Sequence, residues 1–395
     1  MGGGVTEVPK GTVVEDRLLG RLDGAEDGPT LICGVHAVLR VLSKVGERVE
    51  RMSGRMVAFA GNMTALETGR RFVDRDLNRA WTTDRLARLR ENGSDRDSVE
   101  DREQVELLSA IETVLRSVNG PVYALDLHTT SGPGGVFSAF TDSLPHREFA
   151  SKFPVPMIFG LEELVDGTLL NLLSEHGIVS LTIETGQHDE PEAIDRAEAA
   201  VWIAMVSAGL LPEELVPELV DARQRLERDC AHIPRALEMR YKRDVVDGDG
   251  FSMKAGYRNF QRVERGDVVA RDREGEVALL ESGRLLMPLY QEQGEDGFFL
   301  VREFQPFWMG VSLVMRRAGL SRIAHWLPGV RRVEGTDDEV IVNKRVARFY
   351  ARQLFHLLGF RQLEDGGDVL LMRRRRFDET RYLRQAPTPR PLEED

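Results

Sequence analysis

Apolar residues in the first half of the chain occur in two alternating patterns. Short continuous apolar runs predict buried strands, and these are TLIC (30–33), GRMVAFAGN (54–62), GPVYALDLH (120–128) and IVSLTIETG (178–186). Apolar residues three and four apart predict amphipathic helices, and these are AVLRVLSKVGERV (37–49), SVEDREQVELLSAIETVLRSV (98–118) and EAIDRAEAAVWIAMVSAGL (192–210). Such alternation is typical of an α/β domain whose parallel or mixed sheet is covered by helices.

The pattern changes near residue 236 and again near residue 306. Between these points short strands are separated by Gly-Asp and Glu-Gly turns, which is typical of a small all-β domain. Beyond residue 306 the spacing is helical again, and the last dozen residues are proline-rich and charged, as disordered tails are. We therefore predict an α/β domain over 1–235, a β-barrel-like domain over 236–305, and a helical extension with a disordered tail over 306–395.

The charge of the chain narrows its class of partners. Acidic residues outnumber basic ones by 65 to 53, which gives a formal net charge of -12. An acidic surface repels phosphates, so we expect no nucleic-acid partner, although a locally basic pocket can still bind a small anion. No run of about 18 apolar residues is present, so we expect no membrane partner.

The two cysteines indicate the redox environment in which the protein occurs. Cys33 and Cys230 form neither a disulfide framework nor a CxxC pair, which fits a reducing environment. The first thirty residues lack the apolar core of a signal peptide. We therefore expect a cytoplasmic location, and the sequence is compatible with a homo-oligomer.

Two predicted strands end in side chains that can carry chemistry. ALDLHTTSG places Asp126 and His128 on one face, because positions two apart on a strand point the same way. A carboxylate beside an imidazole can orient a metal-bound histidine, but it equally suits a histidine that only caps a strand end. LTIETGQH places Glu184 at another strand end, either as a general base with a raised pKa or as an acceptor for a helix N-terminus. Ligands of α/β sheets bind beyond such carboxyl ends, which predicts a site here.

A cluster of arginines and carboxylates follows the second predicted strand. The segment GRRFVDRDLNRAW contains Arg71, Asn78 and Arg79 among its charged residues. Arginine binds carboxylates through two parallel hydrogen bonds, so this cluster suits a clamp for a dicarboxylate or an acylated amino acid. A turn held together by its own salt bridges is the alternative.

Together these segments resemble a known family. RRFVDRDLNR, DLHTTSG and LTIETGQH, in this order, are similar to motifs of the succinylglutamate desuccinylase/aspartoacylase family, zinc hydrolases related to the zinc carboxypeptidases. NFQRVERGDVVARD and GRLLMPLYQEQGEDGFFLV resemble the second domain of that family, so the likeness covers roughly residues 15–305. The resemblance implies a zinc-carboxypeptidase-like mixed sheet for the first domain.

The resemblance also implies roles for individual residues. It makes His128 a zinc ligand, Glu184 the base that activates the zinc-bound water, and Arg71, Asn78 and Arg79 the substrate-binding residues. One Zn2+ per chain would lower the pKa of its bound water, and an arginine would hold a carboxylate or stabilise the oxyanion. The implied reaction is hydrolysis of the amide bond of a small anionic N-acyl amino acid.

The chain departs from the family at the first metal half-site. The family has an H-x-x-E step after its first strand, whereas here His36 is followed by Leu39, which offers no lone pair to a metal. Either His36 is a ligand whose glutamate partner has been replaced, or both ligands are missing and this stretch aligns with the start of the next helix. The first alternative leaves two protein ligands for zinc and the second leaves one, whereas catalytic zinc usually has three. The sequence leaves open whether Asp74 or Asp76 supplies a replacement.

Two functions follow from this incomplete half-site. The first is a zinc-dependent amidohydrolase with His128 and His36 as ligands and Glu184 as the catalytic residue. The alternative is a non-catalytic binding protein that keeps the arginine clamp to recognise an acidic metabolite.

Overall fold

The structure, a computed structural model, describes residues 18–23, 25–34, 37–91, 98–246, 248–291, 293–347, 351–379, 381–384 and 386–392. The strands of this part are β1 Leu18–Asp23, β2 Ala25–Gly34, β3 Ser53–Phe59, β4 Val122–Thr130, β5 Phe137–Ala139, β6 Met157–Phe159, β7 Val179–Gln187, β8 Ala236–Asp244, β9 Ser252–Met253, β10 Arg262–Val263, β11 Val268–Asp272, β12 Gly275–Ala278, β13 Gly283–Leu286, β14 Asp296–Glu303, β15 Val330–Arg332, β16 Glu339–Asn343, β17 Phe360–Gly366 and β18 Val369–Arg374.

Helices connect and cover these strands. They are α1 Ala37–Val45, α2 Met63–Thr68, α3 Thr83–Glu91, α4 Val99–Leu115, α5 Leu144–Ser151, α6 Leu161–Leu164, α7 Leu169–Glu175, α8 Glu192–Ser207, α9 Glu218–Cys230, α10 Pro306–Arg317, α11 Lys344–Ala347, α12 Ala351–Leu357 and α13 Arg381–Arg384. Short 3-10 turns cover Gly46–Arg51, Leu77–Arg79, Glu213–Leu215 and Leu320–Trp326. Among the described helices, none has the length and apolar character needed to cross a bilayer.

Eleven of the strands form one mixed sheet. Their spatial order is β1-β3-β2-β4-β7-β5-β6-β8-β14-β13-β10. The four strands β3, β2, β4 and β7 run parallel to one another at its centre, while β1 and β5 pair with it antiparallel. The carboxyl ends of the parallel strands therefore meet at one edge, as the alternation of strand and helix predicts, and the predicted α/β fold class is confirmed.

Helices pack on both faces of this sheet. On one face α1 buries Val38 and Val41, and α8 buries Trp202, in the largest apolar core. On the other face α4 buries Leu107 and Ile111. Apolar residues spaced three and four apart put one stripe of each helix against the sheet, which is why the helical periodicity was readable in the sequence.

The main sheet continues past residue 236. β8 pairs parallel to β6 and antiparallel to β14, and β13 and β10 extend the same edge. Only β9, β11 and β12 of this region form a separate three-stranded sheet. The region predicted as a small β domain thus shares a sheet with the α/β part, and its residues 287–291 and 294–296 reach the cavity at the ends of β4 and β7.

The last part of the chain has its own core. Besides α10 to α13 it contains a four-stranded antiparallel sheet in the order β15-β16-β18-β17. Val342, Phe355 and Met372 are fully buried between this sheet and its helices. The predicted helical extension therefore also carries a sheet, and its strand β18 lies within the segment DVLLMRRRRF, in which apolar residues precede a basic run.

Candidate active site

The predicted strand-end residues meet at one edge of the sheet. In the parallel pair β4–β7, His128 lies directly opposite Glu184, and Asp126 lies opposite Thr182. Neighbouring strands are about 4.8 Å apart, and matched positions point to the same face. His128 and Glu184 therefore stand side by side, and both line one cavity.

Asp126 orients the ring of His128. The Nε2 atom of His128 lies 2.8 Å from a carboxylate oxygen of Asp126, two residues earlier on the same strand. Loss of solvent would lower the pKa of His128, but the negative charges of Asp126 and Glu184 outweigh it and raise the pKa to about 9. The ring therefore holds a proton and a positive charge at neutral pH.

Glu184 presents an unsatisfied acceptor to the cavity. Its Oε2 atom is buried and has no hydrogen-bond partner among the described residues. Burial raises the pKa of Glu184, although the positive charges of His128 and Arg71 oppose this. A carboxylate with a raised pKa and a free oxygen is suited to take a proton from a water molecule.

Gly186 fixes the chain direction just after this glutamate. Its φ of +130° lies in a region that side chains rarely adopt, and an added Cβ would lie 2.5 Å from Nη1 of Arg196. Arg196 itself donates to the backbone oxygen of Thr185 and pairs with Glu190. The strand end that carries Glu184 is thus braced from outside the cavity.

The arginine segment after α2 is shaped by a glutamate that the sequence analysis missed. Glu100, in the first turn of α4, accepts hydrogen bonds from the backbone N–H groups of Val73, Asp74 and Arg75 at 2.7, 3.0 and 3.3 Å. It also accepts one from the side chain of Asn62 at 3.0 Å. Burial alone would raise the pKa of Glu100, but these four hydrogen bonds hold the pKa below its usual range.

Replacing Glu100 with alanine should lower the free energy of unfolding by about 3 kcal/mol, because several donors lose a charged acceptor at a site only 1% exposed. Because the folded-state pKa is depressed, the contribution of Glu100 is present above the usual glutamate pKa and is lost as the pH falls through the lowered value. Urea titrations at pH 7 measure the loss, with exposed Glu67→Ala as the matched control. Equal losses in both variants would show that Glu100 does not hold the segment.

The aspartates of this segment are already engaged. Asp76 accepts two hydrogen bonds from Arg71, from Nε at 2.9 Å and from Nη2 at 2.7 Å, and another from the backbone N–H of Asn78. Asp74 accepts from the backbone N–H of Val99 at 2.7 Å. Neither aspartate lines the cavity, so neither replaces a missing metal ligand.

The three predicted substrate-binding residues all line the cavity, but Arg79 already holds a carboxylate. Its Nη2 donates to Asp296 at 2.5 Å, and Nζ of Lys242 lies 2.8 Å from the other oxygen of Asp296. Burial would raise the pKa of Asp296, but Arg79 and Lys242 hold it below its usual range. Asn78 accepts from the backbone N–H of Leu169 at the start of α7. The guanidinium of Arg79, predicted to bind the carboxylate of a substrate, is thus engaged by Asp296 of β14.

The loop that follows His128 docks on the region after β8. Asn259 donates to the hydroxyl of Thr130, and Ser131 donates to the backbone oxygen of Pro288. His188 bridges the same two parts, with Nδ1 2.7 Å from the hydroxyl of Thr129 and Nε2 2.9 Å from the amide oxygen of Gln291. These contacts hold residues 287–291 and 293–296 over the strand ends, where they close one side of the cavity.

Two further acceptors in the cavity were missed from the sequence. Glu162 of α6 and Asn171 of α7 line it, and each has one buried oxygen without a hydrogen-bond partner among the described residues. Neither belongs to a motif, and no periodicity marks them, since α6 is only four residues long. They form a polar wall distinct from the strand ends.

The described residues do not complete a zinc site. No group of three or more His, Cys, Asp or Glu in the described ranges could hold a metal ion. His36, the second predicted ligand, lies outside the described residues, and Leu39 is 42% exposed on α1. Within the described part of the chain, a three-ligand catalytic zinc is therefore not supported by the donor set.

Comparison with known proteins assigns the fold. Residues 31–208 match the family model described as the succinylglutamate desuccinylase/aspartoacylase catalytic domain. The structure of a succinylglutamate desuccinylase/aspartoacylase from Rhodobacter sphaeroides is similar, with a TM-score of 0.51 and 16% identity over 73% of this chain and 89% of that chain. The product-bound ectoine utilization protein EutE (DoeB) from Ruegeria pomeroyi gives a TM-score of 0.50 and 18% identity over 71% and 86%. No curated protein matches the chain.

At these identities the structural likeness establishes the fold alone. The matched residues 31–208 include the arginine segment, β4 and β7, which carry the three motifs of the sequence-based resemblance. The sequence-based resemblance to the succinylglutamate desuccinylase/aspartoacylase family is thus confirmed over residues 31–208, which match the model of its catalytic domain.

Proposed function

We propose that this protein is a hydrolase that cleaves the amide bond of a small N-acyl amino acid. The family of its α/β domain supports this reaction class. The observation that carries the proposal is the pairing of His128 with Glu184 across β4 and β7, at a cavity where Oε2 of Glu184 is buried and has no hydrogen-bond partner among the described residues.

The residues of the chain can perform the proton transfers of amide hydrolysis. Glu184 takes a proton from the water whose oxygen forms the new bond to the acyl carbon. The same proton then passes to the amine nitrogen as the carbon–nitrogen bond breaks, so the products are a carboxylic acid and an amino acid. The positive charges of His128 and Arg71, both at the cavity, stabilise the oxyanion between these two steps.

Zinc dependence remains a prediction. The family resemblance implies one Zn2+ per chain, which would act as a Lewis acid toward water and the carbonyl. Since the described residues do not supply three ligands, no step is routed through the ion. Elemental analysis of the purified protein tests the prediction: about one zinc per chain supports zinc dependence, and the absence of zinc supports the alternative function below.

The alternative function is a non-catalytic binding protein for an acidic metabolite. Leu39 at the family's glutamate position and the incomplete ligand set favour it. The intact Glu184 favours the hydrolase, because binding alone needs no buried base. The two are separated by incubating the protein, with and without added Zn2+, with a panel of N-acetyl and N-succinyl amino acids. Release of free amine supports the hydrolase, whereas binding by calorimetry without release under either condition supports the binding protein.

Replacing Asp296 with asparagine should tighten the binding of anionic N-acyl amino acids, such as N-acetylglutamate, by about tenfold, because it frees the guanidinium of Arg79 from its internal carboxylate. Calorimetry with N-acetylglutamate and the neutral N-acetylglutamine measures the change. Only the anionic ligand should gain. A similar gain for both would show that Arg79 does not recognise substrate charge.

We also propose a cytoplasmic location. Cys33 and Cys230 are both free and buried, as they are in proteins of reducing compartments. Burial raises the pKa of both thiols, so neither has the thiolate character of a reactive cysteine.

A further inference from the structure

The helix α10 buries polar side chains and exposes apolar ones. Its two buried residues are Ser312 and Arg316, whereas Phe307 and Val314 are each 67% exposed. Positions seven apart lie on one face of a helix, and Ser312 and Arg316 lie on the opposite face. Surface helices of soluble proteins have the reverse arrangement, with apolar residues against the core. The outer face of α10 is therefore suited to an apolar partner.

The inner face of α10 fixes the orientation of the helix. Arg316 belongs to a buried ion cluster with Arg147, Asp142 and Asp378, in which it donates to Asp142 at 2.8 Å and lies 3.3 Å from Asp378. Ser312 accepts a hydrogen bond from Arg147 at 3.1 Å. Rotating the helix to bury its apolar face would leave these buried charges without partners, which is costly. The apolar face is therefore held outward.

The turn that follows α10 adds to this apolar surface. The 3-10 turn Leu320–Trp326 packs against α10 and β15, and its Trp326 is 75% exposed. Single exposed apolar residues are ordinary, but six of the 18 large ones exposed in the described part of the chain lie between residues 307 and 326. We define the apolar patch as Phe307, Val314, Leu320, Ile323 and Trp326.

The charge of this segment is opposite to that of the whole chain. Residues 304–333 contain five arginines and no aspartate or glutamate, although the chain carries a formal net charge of -12. Besides the buried Arg316 these are four exposed side chains, Arg317, Arg322, Arg331 and Arg332. The printed carboxylate neighbours are distant: Glu379 lies 3.7 Å from Arg322, and Asp337 lies 3.5 Å from Arg332. Positive charge therefore borders the apolar patch.

We propose that the apolar patch and its arginines dock the protein on an anionic phospholipid surface. Tryptophan and phenylalanine side chains insert at the headgroup level of a bilayer, and arginine binds phosphates through paired hydrogen bonds. Salt screens exposed charges more than about 10 Å apart, so the distant acidic surface of the chain does not cancel this local attraction.

A second copy of this chain suits the apolar patch less well than a bilayer does. A two-fold contact places the same surface of both copies together, so it would bring arginine against arginine. The phosphates of an anionic bilayer carry the opposite charge, and its acyl chains accept the apolar side chains. The charge of the segment therefore favours the bilayer.

The proposal does not depend on the hydrolase activity. It replaces the sequence-based expectation of no membrane partner, which rested on the absence of an apolar run long enough to span a bilayer. A helix that lies in the interface needs only one apolar face. The cytoplasmic leaflet of a cell membrane is anionic, so the proposal agrees with a cytoplasmic location.

Co-sedimentation of the full chain with vesicles tests the proposal. One set of vesicles contains phosphatidylcholine alone, and the other contains phosphatidylcholine and phosphatidylglycerol in equal parts, so only the second is anionic. The wild type should bind the anionic vesicles at least about tenfold more tightly, because each arginine near the surface adds attraction. Higher salt should weaken this binding, since it screens the arginines.

Variants of the patch assign the binding to it. Trp326→Ser and Phe307→Ser should each weaken binding to anionic vesicles by about tenfold, because they remove apolar area that enters the bilayer. Arg322→Gln should weaken it by about fivefold and reduce the difference between the two kinds of vesicle. All three side chains are exposed, so thermal melts of these variants should match that of the wild type.

Two substitutions elsewhere are the matched controls. Leu280→Ser removes an exposed apolar side chain from the turn between β12 and β13, and Arg51→Gln removes an exposed arginine just before β3. Both variants should bind anionic vesicles as the wild type does.

Several results would overturn the proposal. These are sedimentation with neither kind of vesicle or equally with both, undiminished binding in the patch variants, and an equal loss in the controls. Dimerisation that is seen by analytical ultracentrifugation and lost in Trp326→Ser, without binding to anionic vesicles, would also overturn it, because a second copy of this chain would then cover the apolar patch.

Discussion

A Glu184→Gln variant should lose about a thousandfold in kcat/KM toward its N-acyl amino acid substrate and should still fold as the wild type does. An amide cannot accept the proton of the attacking water, so the base is removed while the shape is kept. Folding should not suffer, because Oε2 of Glu184 has no hydrogen-bond partner to lose among the described residues. Steady-state kinetics and a thermal melt on the same preparation measure the two effects separately.

The pH dependence of kcat/KM provides a second measurement on this variant. Burial raises the pKa of Glu184 despite the opposing charges of His128 and Arg71. A base must be deprotonated to act, so wild-type kcat/KM should fall as the pH drops through a value above the usual glutamate range. Any residual activity of Glu184→Gln should lack this acid limb.

The matched control for this variant is Glu190→Gln, six residues along the chain. Glu190 pairs with Arg196 and accepts from the backbone N–H of Gln187. Its replacement should cost less than about tenfold in kcat/KM, because this carboxylate acts outside the cavity. Wild-type turnover in Glu184→Gln, or an equal loss in the two variants, would remove Glu184 from the reaction.

The sequence was sufficient to predict the strand ends because their pattern is local. Alternation along a strand places Asp126 and His128 on one face, and the structure shows their side chains 2.8 Å apart. The convergence of His128 with Glu184 follows from a further rule, that parallel strands end at one edge of a sheet. Both inferences need only short segments and the fold class.

The other cavity residues could not be predicted because their contacts join distant parts of the chain. Arg79 pairs with Asp296, and Glu162 pairs with Arg375, each across more than 200 positions. No local spacing distinguishes Asp296 from any other surface aspartate. Arg375 lies just after β18, in the basic run 373–376, where a solvated strand end is the ordinary expectation, yet its side chain is only 2% exposed.

The arginine segment shows how one pattern served two purposes. Its mixture of arginine and aspartate allowed either a substrate clamp or a salt-bridged turn, and the structure contains elements of both. Arg71 is held by Asp76 within the segment and also lines the cavity. Glu100, which accepts three backbone hydrogen bonds of the same segment, lies about 25 residues further on in an amphipathic helix, where an acidic first turn suits the helix dipole without indicating this role.

The docking of the last part of the chain depends on Arg316, which is fully buried. Its guanidinium donates to Asp142 at 2.8 Å and to the backbone oxygens of His356 and Leu357, and it lies 3.3 Å from Asp378. Burial would raise the pKa of Asp142, but Arg147 and Arg316 depress it strongly. The contribution of Asp142 to stability is therefore present above the usual aspartate pKa and is lost as the pH falls toward the depressed value.

Replacing Arg316 with methionine should lower the free energy of unfolding by about 3–5 kcal/mol, because it leaves buried carboxylates without a partner. Adding Asp378→Asn should recover part of this loss, because the double variant leaves one fewer buried charge without a partner. The amide oxygen at this position can still accept the hydrogen bond from the backbone N–H of Leu144. Arg322→Met is the control, because Arg322 is 66% exposed and 3.7 Å from its partner Glu379, and it should cost less than about 1 kcal/mol. Denaturant titrations of the three variants and the wild type measure these changes in the free energy of unfolding. A loss in Arg316→Met no larger than in the control, or no recovery in the double variant, would mean that the cluster does not fasten the last part of the chain to the α/β domain.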